Sequence, residues 1–141
     1  MDTTSIIAAL VAFIAWREWS TNRQRLKLDL FDRRYEIYLE IAETISAICI
    51  EGKVRPGKEF EFLRKTNKAY FLFSCASWVK YLISDIYKKM NQLHALDAEL
   101  ESLTGDARKP LVEERRQIKN WFETTLHELE GRFECFLKLS H

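Results

Sequence analysis

The stretch that decides the fold is Thr3 to Trp16, TTSIIAALVAFIAW, which carries no charged residue and is apolar on every side from Ile6 to Trp16. A surface helix keeps its apolar residues to one stripe, so this segment suits lipid or a deeply buried helix and not a flat position on a membrane. At about 1.5 Å per residue it spans roughly 21 Å, against about 30 Å of hydrocarbon, which is short for a crossing. Its flanks favour the membrane all the same. Trp16 and Trp19 close the run where amphipathic rings prefer the headgroup level, and Arg17, Arg23, Arg25 and Lys27 follow at once. Ahead of the run stand only Asp2 and the α-amino group, so the positive-inside rule expects the N-terminus outside and the C-terminus in the cytoplasm. A cleaved signal peptide carries its positive charge before the apolar run, and here that order is reversed. Residues 1–19 are therefore expected to be a membrane anchor, with Ile6, Ile7, Leu10, Val11, Phe13, Ile14, Trp16 and Trp19 as its lipid-facing groups and Arg17, Arg23, Arg25 and Lys27 as juxtamembrane cations. Two features can accommodate the short span at modest cost, local bilayer thinning and self-association.

After Trp19 no helix breaker occurs before Gly52, so the anchor is expected to run on as one helix of roughly 45 residues. Leu28, Phe31, Tyr35, Tyr38, Ala42, Ile45 and Cys49 alternate at spacings of three and four. Leu26, Leu30, Ile37, Ile41 and Ile48 form a second stripe beside them. Two adjacent stripes need two sets of neighbours: either the helix packs centrally within its own bundle, or one stripe, at Leu28, Phe31, Tyr35 and Tyr38, is given to a second copy of the protein. Asp32, Arg33, Arg34 and Glu36 are expected to form helix-surface ion pairs.

The rest, residues 20–141, reads as a cytoplasmic helical bundle with helices near 20–50, 58–74, 76–104 and 108–139. Glu51 to Glu59, with Gly52, Pro56 and Gly57, is a loop. Tyr70 to Ser77 (YFLFSCAS) would make a strand without a partner, so a kink between helices near Ser74 is expected instead. Val79, Leu82, Ile86, Lys89, Leu93, Leu96, Leu100 and Leu103 form a seam about 35 Å long. Leu111, Ile118, Phe122, Thr125, Leu129 and Phe136 supply the facing stripe, so the last two helices should form an antiparallel coiled-coil hairpin. The fold class is all-α.

The chain's 141 residues carry 22 Lys and Arg against 21 Asp and Glu, a net charge of +1 that leaves no electrostatic footprint for nucleic acid. Four scattered Gly exclude a phosphate cradle. Three Cys without a Cys-x-x-Cys pair exclude a disulfide framework or zinc site; Cys49, Cys75 and Cys135 are expected to be small buried hydrophobes. His94 with Asp97, and His127 with Glu130, have one-turn spacing on helices but the reverse order of a Glu-x-x-His metal pair. His127 falls with Glu123, Glu130 and Glu134 opposite the apolar stripe, on a solvated face. No catalytic, cofactor or metal site is therefore expected; the chain reads as a non-enzymatic protein whose partners are lipid, its own copies and possible protein partners. The alternative is a soluble all-α interaction module that buries residues 6–16 against the later helices.

The run WREWSTNRQRLKLDLFDRRYEIYLEI, Trp16 to Ile41, resembles a group of small bacterial proteins with an apolar N-terminal anchor, a Leu-Asp-Leu-Phe/Tyr-x-x-Arg-Tyr/Phe-x-x-Tyr stretch and a helical cytoplasmic part. The likeness extends through Tyr70 to Phe73 and through Trp121-Phe122 to Phe136-Leu137. It implies an architecture and a bacterial inner-membrane setting, with no activity attached. In looser terms the chain is similar to membrane-associated HEPN-like helical proteins of bacterial antiviral systems, which assemble into rings or pores. That likeness implies a membrane-acting, pore-type effector of defence. HEPN ribonucleases carry Arg, four to six residues, then His; before His127 only Asn120 meets that spacing and Arg116 lies too far away, so a degenerate nuclease would lack its cation.

Overall fold

A computed structural model describes residues 2–138, and every regular element in it is helical. The run without a breaker is one helix, α1 (Thr3–Glu51), of 49 residues. Gly52 ends it at φ 70°, where its amide donates to the Ile48 carbonyl at 2.8 Å, a left-handed cap that glycine adopts without a Cβ clash. Gly57, at φ 79°, leads into α2 (Lys58–Thr66), whose first turn holds Glu59 and Glu61 and whose last holds Arg64 and Lys65, each sign set against the favourable end of the helix dipole.

The expected single helix over 58–74 is broken. α2 stops at Thr66, a two-residue turn follows, and α3 (Ala69–Leu72) adds a single helical turn. Buried Thr66 turns its hydroxyl back onto the Phe62 carbonyl at 2.7 Å, a contact that competes with the helical ladder and bends the chain. The second interruption falls where the sequence places a kink: Phe73 to Cys75 form a turn before α4 (Ser77–Ser102). A short 3-10 turn (Gly105–Ala107) leads into α5 (Arg108–Leu137), with Pro110 in its first turn, where a missing amide costs no helical bond.

Directions follow from cross-helix contacts. Tyr38 meets Phe133 and Arg34 lies over Phe136, while Arg115 at the other end of α5 reaches the Gly52 carbonyl, so α1 and α5 are antiparallel. Trp78 meets Phe133 and Asp97 meets Arg115, so α4 and α5 are antiparallel as well. Lys65 on Glu40 and Leu72 on Arg34 make α2–α3 antiparallel to α1. Four segments of alternating direction thus enclose one core, with α1 and α4 each packed on both α5 and α2–α3. Its fully buried side chains include Ile41, Ile45, Phe62, Val79, Ile86, Met90, Leu93, Phe122, Leu129 and Phe133. The core begins at Ile37. Asp29, Asp32 and Arg33 above it still line a cleft with Arg64, Lys68 and Leu72, and from Leu28 to Thr3 α1 continues alone, about 39 Å of helix without a neighbour.

Residues 6–16 are accordingly not buried against the later helices, as the soluble alternative requires. The cysteines also depart from expectation: Cys49 is half-buried, but Cys75 lies exposed in the turn before α4 and Cys135 on the outer side of α5. A turn and the outer face of a helix leave those two side chains open to solvent.

Candidate membrane and self-association surface

Every apolar side chain of the expected anchor is exposed: Ile6, Ile7, Leu10, Val11, Phe13, Ile14, Trp16 and Trp19 lie between 47 and 61% open. They surround the helix on all sides because α1 has no neighbour there. Phe13 and Trp16 touch with ring centroids 6.3 Å apart, and the Arg23 guanidinium lies 5.3 Å from the Trp19 ring. Arg17, Arg23, Arg25 and Lys27 are exposed, and none has an ion-pair partner among the described residues. Among those residues no helix is long and apolar enough to cross a membrane. The limit is length, since Arg17 and Glu18 end the apolar run early.

Lower down, Leu28 is 51% exposed, Phe31 half-buried, Tyr35 exposed and Tyr38 half-buried. Phe31, Tyr35 and Tyr38 form a stacked ladder with centroids 6.0 and 5.9 Å apart. Tyr38 is already in use within the chain, where it packs on Phe133 at 5.5 Å. Burial, followed by the charge of Glu130 and then Tyr35, raises its phenol above the usual value. Leu28 and Tyr35 stay open, with half-buried Phe31 between them.

Of the four charges expected to pair on α1, only Arg33 does so, with Asp29 at 2.9 Å. Arg34 points instead into the body: its Nε donates to the Leu72 carbonyl at 3.0 Å and its guanidinium lies over the rings of Phe73 and Phe136. His94 is exposed, and Asp97 pairs with Arg115 at 2.5 Å, not with the histidine. His127 and Asn120 are both exposed on α5, while Arg116 is held in a two-pronged pair with Glu113. Among the described residues no group of three His, Cys, Asp or Glu could hold a metal.

Two features escaped the sequence reading. Phe60, Tyr70, Phe71 and Tyr81 are exposed, and Tyr70, Phe71 and Tyr81 line a cleft of about 370 Å³ with Lys80, whose ammonium lies 4.9 Å from the Tyr70 ring. Four consecutive large residues from Tyr70 to Phe73 cannot all face one core from a helical turn, and that crowding was the available signal. Glu59 is buried with one carboxylate oxygen unpartnered among the described residues, and its polar identity in an otherwise surface-like α2 gave no sign of this. No protein-family model, curated protein or solved structure matches the chain.

Proposed function

We propose that this chain is a non-enzymatic, self-associating protein held in a bacterial inner membrane by the first nineteen residues, N-terminus outside, with its helical body in the cytoplasm. The observation that carries the reading is the isolation of the N-terminal part of α1: eight large apolar side chains on all faces of a helix that the rest of the chain leaves uncovered. Exposing such a surface to water is costly, at about 25 cal/mol per Å², and a monomer in water has nothing to cover it with. Lipid covers every face that no partner helix takes. The cations at Arg17, Arg23, Arg25 and Lys27 then lie at the level of anionic headgroups, each free of intrachain ion pairing among the described residues. The body is an α-helical bundle in which α4 and α5 form a coiled-coil-like hairpin, with ion pairs between helices at Lys65–Glu40 and Arg115–Asp97 and along one helix at Arg116–Glu113.

Expression of the full chain in a bacterium, followed by high-salt and alkaline carbonate washes of the membrane pellet, tests the anchor. Retention in the pellet is expected. Release by carbonate would overturn the anchor and leave the exposed helix to be covered by protein.

A further inference from the structure

We infer that α1 pairs with a second copy of itself, parallel and in register, through a single seam that runs from Ile7 to Tyr35. This rests on the self-association part of the proposed function and specifies its surface.

Ile7, Leu10, Ile14, Arg17, Thr21, Gln24, Leu28, Phe31 and Tyr35 follow one another at strictly alternating spacings of three and four, and the same rhythm continues through Tyr38, Ala42, Ile45 and Cys49. The lower part of this stripe is covered within the chain. Ile45 is buried, while Tyr38, Ala42 and Cys49 pack against the core, with α5 contributing Phe133 over Tyr38. α5 ends at Leu137, level with Arg34, whose guanidinium lies over Phe136. From Tyr35 upward the stripe loses its cover: Tyr35 is 40% exposed and Leu28 51%. A repeat of 3.5 residues held this long is the pattern of two supercoiled helices, because an unpartnered helix lets such a stripe drift by about 20° per heptad. The bare seam continues a helix-packing interface already formed below it.

Charges choose the partner and its direction. In a parallel pair, the residue just before one seam position faces, on the other helix, the residue five places further on. Lys27 faces Asp32 of the second copy by this rule; Arg17, at a seam position, meets Arg17 of the second copy, and Glu18 of each helix lies beside that layer and offsets its like charges. None of Arg17, Glu18, Lys27 and Asp32 has an ion-pair partner within the chain among the described residues, whereas Asp29 and Arg33 nearby are paired. Lys27 and Asp32 cannot meet on their own helix at a spacing of five. The polar layers Arg17, Thr21 and Gln24 fix the register at a cost in stability, as polar seam positions do.

The test uses the full chain in detergent micelles, with Cys49, Cys75 and Cys135 replaced by Ser and one new cysteine at a time. Under mild oxidation, Thr21→Cys and Leu28→Cys are expected to give disulfide-linked dimers, and Asn22→Cys and Leu26→Cys, on other faces, are not. Two self-pairing sites seven residues apart exclude an antiparallel pair, which has only one crossing point. Lys27→Glu in the Leu28→Cys background should lower the dimer yield about fivefold, and the exchange Lys27→Glu with Asp32→Lys should restore it. An oligomeric particle by light scattering in which the off-seam cysteines link and the seam cysteines do not would overturn the seam and leave self-association standing. A monomer at every concentration would overturn both. Equal yields with and without Lys27→Glu would overturn the register.

Discussion

Arg34 Nε donates to the carbonyl of Leu72 at 3.0 Å, across 38 residues of chain. The acceptor belongs to the last residue of α3, a four-residue helix in which the Phe73 amide donates to the Ala69 carbonyl at 3.0 Å and the guanidinium serves the carbonyl of Leu72. The same guanidinium lies 5.7 Å from the ring centre of Phe73 and 5.2 Å from that of Phe136. One side chain therefore joins α1 to the turn after α3 and to the end of α5, at the level where the stalk enters the body.

Arg34→Ala removes a charge-assisted hydrogen bond and two ring contacts from a half-buried site, and should destabilise the body by about 2 kcal/mol. Arg34→Lys should recover less than half, since a compact ammonium lacks the planar fork that donates to the carbonyl from Nε while the rest of the group stays over two rings. Thermal melting of the full chain in detergent, followed by circular dichroism, reads both. Equal melting temperatures for Arg34→Lys and the parent would refute the clamp.

That clamp marks where legibility in the sequence ends. The all-α class and the continuity of α1 were readable because apolar periodicity and the lack of a breaker before Gly52 are local properties. The stripes of α4 and α5 were readable for the same reason, although Phe133, the ring on which Tyr38, Phe73 and Trp78 converge, was passed over. Arg34 looked like any surface arginine beside Asp32 and Glu36, because its true partners come from residues 72, 73 and 136. The break at Thr66 was hidden for a related reason: a threonine hydroxyl bends a helix only if it turns back to the ladder, and composition does not say when it will.

Three glycines should respond to alanine with different signs. Gly52→Ala forces a side chain to φ 70° and brings its Cβ to 2.8 Å from the Lys119 ammonium, so a loss of about 1–2 kcal/mol is expected. Gly57→Ala, at φ 79° with open space around it, should lose about 1 kcal/mol from the backbone alone. Gly131 lies inside α5 without a positive φ and with nothing within 4 Å of an added Cβ, so Gly131→Ala should stabilise by about 0.5–1 kcal/mol. A loss at Gly131 in thermal melts would contradict this placement.

The aromatic cluster below the stalk should separate sharply from the exposed aromatics beside it. Phe133 is fully buried and touches Tyr38, Phe73 and Trp78, so Phe133→Ala should cost about 3–5 kcal/mol. Phe71, 78% exposed, should tolerate serine within about 0.5 kcal/mol. Comparable losses at the two sites would mean that Phe71 is covered in the protein as it occurs in detergent.

The thiols should differ in reactivity and in what they do to alkaline stability. Burial, then the charge of Glu123, raises the Cys49 thiol above its ordinary value, with Lys119 opposing; Cys75 and Cys135 lie open to solvent. Iodoacetamide at pH 8 should therefore modify Cys75 and Cys135 first and Cys49 last, as peptide mass mapping over time would record. A folded-state value above the unfolded one means that the native chain holds this proton more tightly. The contribution is present below the unfolded thiol value of 9.0 and is lost as pH rises through the folded one. Tyr38 acts with the same sign from its own unfolded value of 10.0 upward. The melting temperature should thus fall on the alkaline side, and Cys49→Ser should lessen the part of that fall that begins near pH 9. Alkylation of Cys49 as fast as Cys75 would show that α5 does not cover the lower stripe of α1.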